Sequence, residues 1–160
     1  MNSKCNIVLS AVCAALCAQA GLKYEIAMMD ISKEEGPNPV KIGYICIAKQ
    51  DNWAALCVTT PSRVTIPLGE GAETFGAALG VSCHSKVDSE ACFKVLAPDG
   101  SVLWERSGIK KGTKYFAQAN IRGLDSVTLE VSGEAGIQAG WASTSFIYSD
   151  GKYPPNDVRN

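Results

Sequence analysis

The chain's 160 residues, 16.9 kDa in all, suffice for one ordinary domain that buries about two thirds of the surface exposed when unfolded. Fifteen Lys and Arg against sixteen Asp and Glu, with only 19% charged residues, exclude the basic footprint of a nucleic-acid or anionic-membrane binder. A hydrophobic share of 46% excludes a disordered chain, and a single histidine leaves little material for acid–base or zinc chemistry, so an enzyme is disfavoured.

Residues 1–20 read as an export signal peptide. One cation, Lys4, precedes the apolar run Ile7 to Ala18, and Ala18-Gln19-Ala20 has the small-x-small form that a signal peptidase cuts. The run is about a dozen residues, short of the ~20 needed to cross a bilayer, and no later segment comes nearer. The expected mature chain is therefore secreted, periplasmic or on the cell surface, without membrane insertion. Lipid attachment is the rival reading, but Leu16 before Cys17 and Val12 before Cys13 stand where a small residue is needed.

Beyond the signal, Lys33 to Pro39 reads as a polar loop. Cys46 and Cys57 flank IAKQDNWAAL, whose polar QDNW portion predicts an exposed loop carrying Trp53. From Ser62 onward the spacing predicts strands. Val64, Ile66 and Leu68 alternate with Arg63 and Thr65, which gives one apolar and one wet face. TFGAALGVS is small and apolar enough for a strand covered on both faces. CFKVLA and SVLWE flank Pro98-Asp99-Gly100, a hairpin signal in which proline presets the turn and glycine accepts positive φ. Trp104 shares the period-2 face of Val102, which predicts core packing for Trp104. KYFAQANI places Ala117, Ala119 and Ile121 on one side; Val127, Leu129 and Val131 alternate next, and Trp141 opens a last, core-facing strand. No window past Ala20 carries a capped helical stripe. Seven or more short strands at this spacing imply an all-β, two-sheet antiparallel sandwich over 21–148, with 149–160 as a flexible tail.

Four cysteines remain after the signal, Cys46, Cys57, Cys83 and Cys92. In an exported domain an even count reads as two disulfides with three possible connectivities. Neighbour pairing, Cys46 with Cys57 and Cys83 with Cys92, would staple one short loop each; buried free thiols are the alternative, and no spacing suits zinc. His84, the lone imidazole, sits in a polar loop beside Ser82, Ser85 and Asp88, with no spacing that favours a nucleophilic triad. Carboxylates lie in loop-like segments, the glycines of GEGAETFG do not open a helix, and no acidic loop is dense enough for calcium. No cofactor and no metal are expected. Flat rings stacking on the apolar face of a sugar are a common basis of glycan recognition, which singles out Trp53 and Tyr115, with His84 and Asp88 as polar company.

The ordered series Pro61-Ser62-Arg63-Val64-Thr65, Phe75, Gly80-Val81, Phe93-Lys94-Val95, Asp99-Gly100, Leu103-Trp104, Ser107-Gly108, Gly123, Val127 to Val131 and Trp141-Ala142 before Phe146 resembles the NPCBM family of carbohydrate-binding modules. Val40-Lys41-Ile42-Gly43 is similar to that family's preceding strand. The resemblance implies a galactose-binding-like jelly roll and a glycan or polysaccharide partner. The chain departs from the family pattern where Thr59 replaces a histidine, Ser82 an aspartate and Ile137-Gln138 an Asp-His pair. The expectation is a secreted, non-catalytic module that binds a glycan. The alternative is a structural or assembly protein that uses the same sandwich to contact another surface protein or itself.

Overall fold

Residues that alternate apolar and polar along an extended chain can bury one face only by pairing laterally and stacking sheet on sheet, and that is what this chain does. The computed structural model describes residues 22–25, 34–35, 38 and 40–149. The expected signal peptide and the tail beyond Ser149 lie outside the described residues. Eleven strands follow in order: β1 (Leu22–Glu25), β2 (Glu34–Glu35), β3 (Lys41–Ile47), β4 (Gln50–Thr59), β5 (Ser62–Pro67), β6 (Ala72–Val81), β7 (Ala91–Leu96), β8 (Val102–Ile109), β9 (Tyr115–Asn120), β10 (Ser126–Gly133) and β11 (Gln138–Tyr148). One sheet runs β3-β4-β11-β6-β9, with β1 also on β11; the other runs β2-β5-β10-β7-β8. Every strand pairing is antiparallel. The described residues contain no helix.

The core lies between the sheets. From the first sheet Leu56, Val58, Phe75, Leu79, Trp141 and Phe146 point inward, and from the second Val64, Ile66, Phe93, Val95, Leu129 and Val131 meet them. Trp141 is the hub, fully buried, with edge-on contacts to Phe93 at 5.1 Å, Phe75 at 6.0 Å and Trp104 at 6.5 Å between ring centroids. The Pro98–Gly100 hairpin forms as read, with Gly100 at φ 85° and its N–H donating to the Ala97 carbonyl at 2.9 Å.

Three expectations are corrected. Trp104 packs against the core, but Val102 is exposed, because a bulge places Val95 opposite Trp104 and Leu96 opposite Val102. The extra residue, Leu103, turns the strand over and separates the two faces. The polar stretch 33–39 is not all loop, since Glu34–Glu35 pair with β5. QDNW belongs to β4, not to a loop. Its turn is Ala48-Lys49, whose φ values of 51° and 62° supply the left-handed conformation usually given to Asn-Gly.

That β3–β4 hairpin bends. Ala54 has φ 57° and the β3–β4 register shifts between Gly43 and Ile45, so the tip swings across the outer face of the first sheet. There Ile45, Ile47, Ala55, Ala78 and Ala142 form a second, smaller apolar cluster. Two cross-strand partners, Gly80 and Gly140, make room for it. A Cβ on Gly80 would stand 2.5 Å from Ile47 Cγ2, and one on Gly140 2.7 Å from Ile45 Cδ1.

Candidate ligand-binding site

The bent hairpin leaves a hollow of about 310 Å³ between β3, the facing ends of β4 and β11, and the turn that follows β6, in the lower range of ligand pockets. Ile45, Val58 and Ala139 give it apolar wall; Lys41, Tyr44, Thr59, Ser82, His84 and Gln138 give it polar groups. Each polar group has a local cause. Gln138 pairs with Thr59 in the β4–β11 ladder. Buried Thr60, next along, clasps the turn before β11: its hydroxyl donates to the Glu134 carbonyl and accepts from Ile137 N–H at 2.9 Å. Ser82 ends the turn into which His84 is folded: Ser85 N–H donates to the Ser82 carbonyl at 3.0 Å, and His84 N–H to Ser82 Oγ at 3.2 Å. Among the described residues, the side chains of Lys41, Thr59, His84 and Gln138 have no hydrogen-bond or ion-pair partner, so their donors and acceptors face the hollow uncommitted.

Two aromatic rings flank it. Tyr44, 43% exposed, lines the hollow, and Trp53, 76% exposed, lies against it with ring centroids 4.9 Å apart. Tyr44 Oη donates to Asp51 Oδ1 at 2.7 Å, and this hydrogen bond to a carboxylate pushes the phenol up to about 12. The pairing also fixes the Tyr44 ring. Rigid rings beside unsatisfied hydroxyl, amide and imidazole groups form a surface suited to a polyhydroxylated ligand. Among the described residues no three His, Cys, Asp or Glu side chains come together as a metal-ligand set.

The residues singled out from the sequence divide. His84 lines this hollow, whereas Trp53 does not line it and reaches it only through its ring contact with Tyr44. Asp88 does not line it; its side chain is 81% exposed and pairs with Lys111 Nζ at 3.6 Å. Tyr115 lies elsewhere, on β9 opposite Leu79, half-buried against the core with the Arg106 guanidinium 3.8 Å over its ring. Tyr44, Lys41 and Gln138 were not foreseen. One signal for this region was present in the sequence: Thr59, Ser82 and Gln138, singled out where the resemblance implied other residues, all line the hollow.

The strand positions do not bring the expected neighbour cysteines together, and no disulfide is present among the described residues. Cys46 stands opposite Asp51 and Cys57 opposite Lys41, at opposite ends of one hairpin. Cys83 follows β6 in the first sheet, whereas Cys92 lies in β7 of the second, touching Glu105 Oε1 and Ser107 Oγ at 3.4 Å.

The sequence profile of the NPCBM/NEW2 domain matches residues 43–147. No curated protein matches the chain. Among solved structures, the M60 catalytic domain with the CBM51-1 and CBM51-2 domains from Clostridium perfringens ZmpB superposes with a TM-score of 0.67 at 18% identity. That match covers 79% of this chain and 15% of that one. CBM51-2 in complex with GlcNAc and the INT domains of the same protein give 0.67 at 16% identity, covering 79% and 32%. The CBM51 from Clostridium perfringens GH95, in complex with methyl-galactose, gives 0.63 at 14% identity, covering 78% and 99%. The chain thus spans less than a third of the length of the two ZmpB structures and nearly all of the single GH95 module. At these identities the likeness is one of fold.

Proposed function

The chain belongs to the NPCBM/NEW2 domain family, and from that premise we propose that it is an exported, non-catalytic carbohydrate-binding module that receives a terminal sugar of a glycan in the hollow beneath the β3–β4 hairpin. The observation that carries the reading is the convergence there of Tyr44, against whose ring Trp53 packs, with the uncommitted side chains of Thr59, His84 and Gln138. A sugar ring would lie against the aromatic pair and exchange hydrogen bonds with the polar wall; nothing need move. Thr59, Ser82 and Gln138 offer hydroxyl and amide groups to the sugar hydroxyls, with Lys41 and His84 beside them. Galactose and GlcNAc, the sugars seen with the two structural neighbours, are the first probes.

Calorimetric titration with methyl-galactose and GlcNAc, followed by a broad glycan panel, tests this. Saturable binding is expected, with Trp53→Ala about tenfold weaker, the equivalent of ~1.4 kcal/mol for a lost stacking ring. Equal binding by both proteins would remove Trp53 from the site, and silence across the panel would remove the reading. A specific feature supports the assembly alternative: Phe116 is 75% exposed on the outer face of the first sheet, over a floor of Gly76, Ala78 and Ser145. Mass that rises with concentration in light scattering, without sugar binding, would favour that alternative.

A further inference from the structure

Cys46 and Cys83 are 37 residues apart in sequence, yet their Sγ atoms are 2.7 Å apart. The cause is an antiparallel bridge between Ile47 and Ser82, which ties the hairpin tip to the end of β6. It sets Cys46 and Cys83 directly opposite each other, with Cys83 N–H donating to the Cys46 carbonyl at 2.8 Å. Opposed residues of this kind have Cα atoms roughly 5.5 Å apart, within the ~4.4–6.8 Å that a disulfide spans. Closing the thiol contact to a bond of ~2.05 Å takes less than an ångström of side-chain movement. Neither Cys57, whose thiol donates to the Tyr44 and Ala55 carbonyls, nor Cys92, in the opposite sheet, has such a partner.

We propose that Cys46 and Cys83 are a disulfide-forming site that locks the two walls of the hollow together, and that Cys57 and Cys92 remain thiols. The reaction is thiol–disulfide exchange with an oxidant that is itself a disulfide, such as glutathione disulfide or the active site of a thiol oxidase. The Cys83 thiolate attacks one oxidant sulfur, the oxidant's S–S bond breaks, and one thiolate leaves. Cys46, having lost its proton to solvent, then attacks Cys83 Sγ and displaces the second thiolate. Two electrons pass to the oxidant, which ends as two thiols. The roles follow from the surroundings. Burial disfavours ionisation of Cys83, but the hydrogen bonds it accepts from the Cys46 thiol and, at 3.3 Å, from Lys49 N–H outweigh it and draw its pKa below the usual cysteine value. Cys46, which donates its hydrogen bond to Cys83, is pushed up. The left-handed backbone of Ala48-Lys49 aims that N–H at the sulfur.

The bond would join the residue two after Tyr44 to the residue just before His84, so the aromatic wall and the imidazole wall become one covalent frame. That consequence rests on the proposed sugar site; the linkage does not, and the experiment reads the linkage alone. The full chain is incubated with glutathione disulfide, residual thiols are blocked, and tryptic peptides are mapped by mass spectrometry. Trypsin separates Cys46 (residues 42–49), Cys57 (50–63), Cys83 (64–86) and Cys92 (87–94), while Cys5, Cys13 and Cys17 share residues 5–23. The expected result is peptide 42–49 linked to 64–86 in the wild type and equally in Cys57→Ser, with Cys46→Ser leaving Cys83 as a glutathione adduct. A different linkage, or none in the native protein while denatured protein cross-links freely, would overturn the proposal. Should Cys46→Ser fail to fold, the wild type and Cys57→Ser still decide it.

Discussion

Replacing Gly80 by alanine tests the account of how the hairpin is seated. The new methyl would stand 2.5 Å from Ile47 Cγ2 and 2.8 Å from the Thr113 carbonyl oxygen, where ordinary contact begins near 3.4 Å. Ile47 is fully buried, and its branched side chain has little rotamer freedom to yield; the second obstacle is backbone. Overpacking of a filled site costs ~1–3 kcal/mol, and two simultaneous clashes put this change near the upper figure. For a domain of this size the melting temperature should fall by on the order of 10 °C. Gly76→Ala is the control. It lies on the same face of the same strand but would meet only Ser145 Oγ at 3.7 Å, so it should be neutral or slightly stabilising. Thermal and urea unfolding measure both. In the double variant Gly80→Ala/Ile47→Ala one clash is gone, so its cost should fall short of the sum of the singles by about 1 kcal/mol. A Gly80→Ala protein as stable as wild type, or strict additivity in the double variant, would refute the packing argument.

Trp141→Ala removes the ring that joins Phe75, Phe93 and Trp104 and should cost ~3–5 kcal/mol in urea unfolding; a loss below 1 kcal/mol would mean that the hub is not where the core is held. Closing the Cys46–Cys83 bond ties chain positions 37 residues apart and should add ~4 kcal/mol over the reduced protein by the loop-entropy relation; equal urea midpoints would refute this. Asp99 accepts hydrogen bonds from Ser101 Oγ and then Ser101 N–H, which hold its carboxyl below the ordinary 3.8. The unfolded chain therefore protonates Asp99 first, and the contribution is complete above about pH 4 and lost as pH falls through the folded value. Asp99→Asn should make the acid limb of stability against pH shallower, whereas parallel limbs would show that the carboxylate contributes nothing.

The strands legible in the sequence are those whose neighbours obey a simple alternation. Val64 and Ile66, Phe93 and Val95, and Val127 to Val131 each face one core and one solvent, so period two reports them faithfully. The β3–β4 hairpin hides for the opposite reason. Ile45 and Ile47 bury against a sheet's outer face, Asn52 is buried beside exposed Asp51 and Trp53, and the turn is Ala-Lys, without the glycine or asparagine that marks a left-handed conformation. Trp53 could be found because a large indole among polar residues lacks a core role. Tyr44 and Lys41 could not, since they reach Gln138 only when β3 swings past β4 to the start of β11. The cysteines carry the same lesson. Nearness in sequence suggested Cys46 with Cys57, whereas strand opposition places Cys46 against Cys83.

The small cluster around Ile45 and Ile47 is separate from the Trp141 core and much smaller. The hairpin tip rests on this smaller cluster, and the expected outcome is that amide protons of residues 45–52 exchange before those of β6 and β10, which hydrogen-exchange measurement checks. The Tyr44 wall thus stands on the smaller of the two clusters, and a ligand or covalent bond spanning the hollow would tie it to the larger.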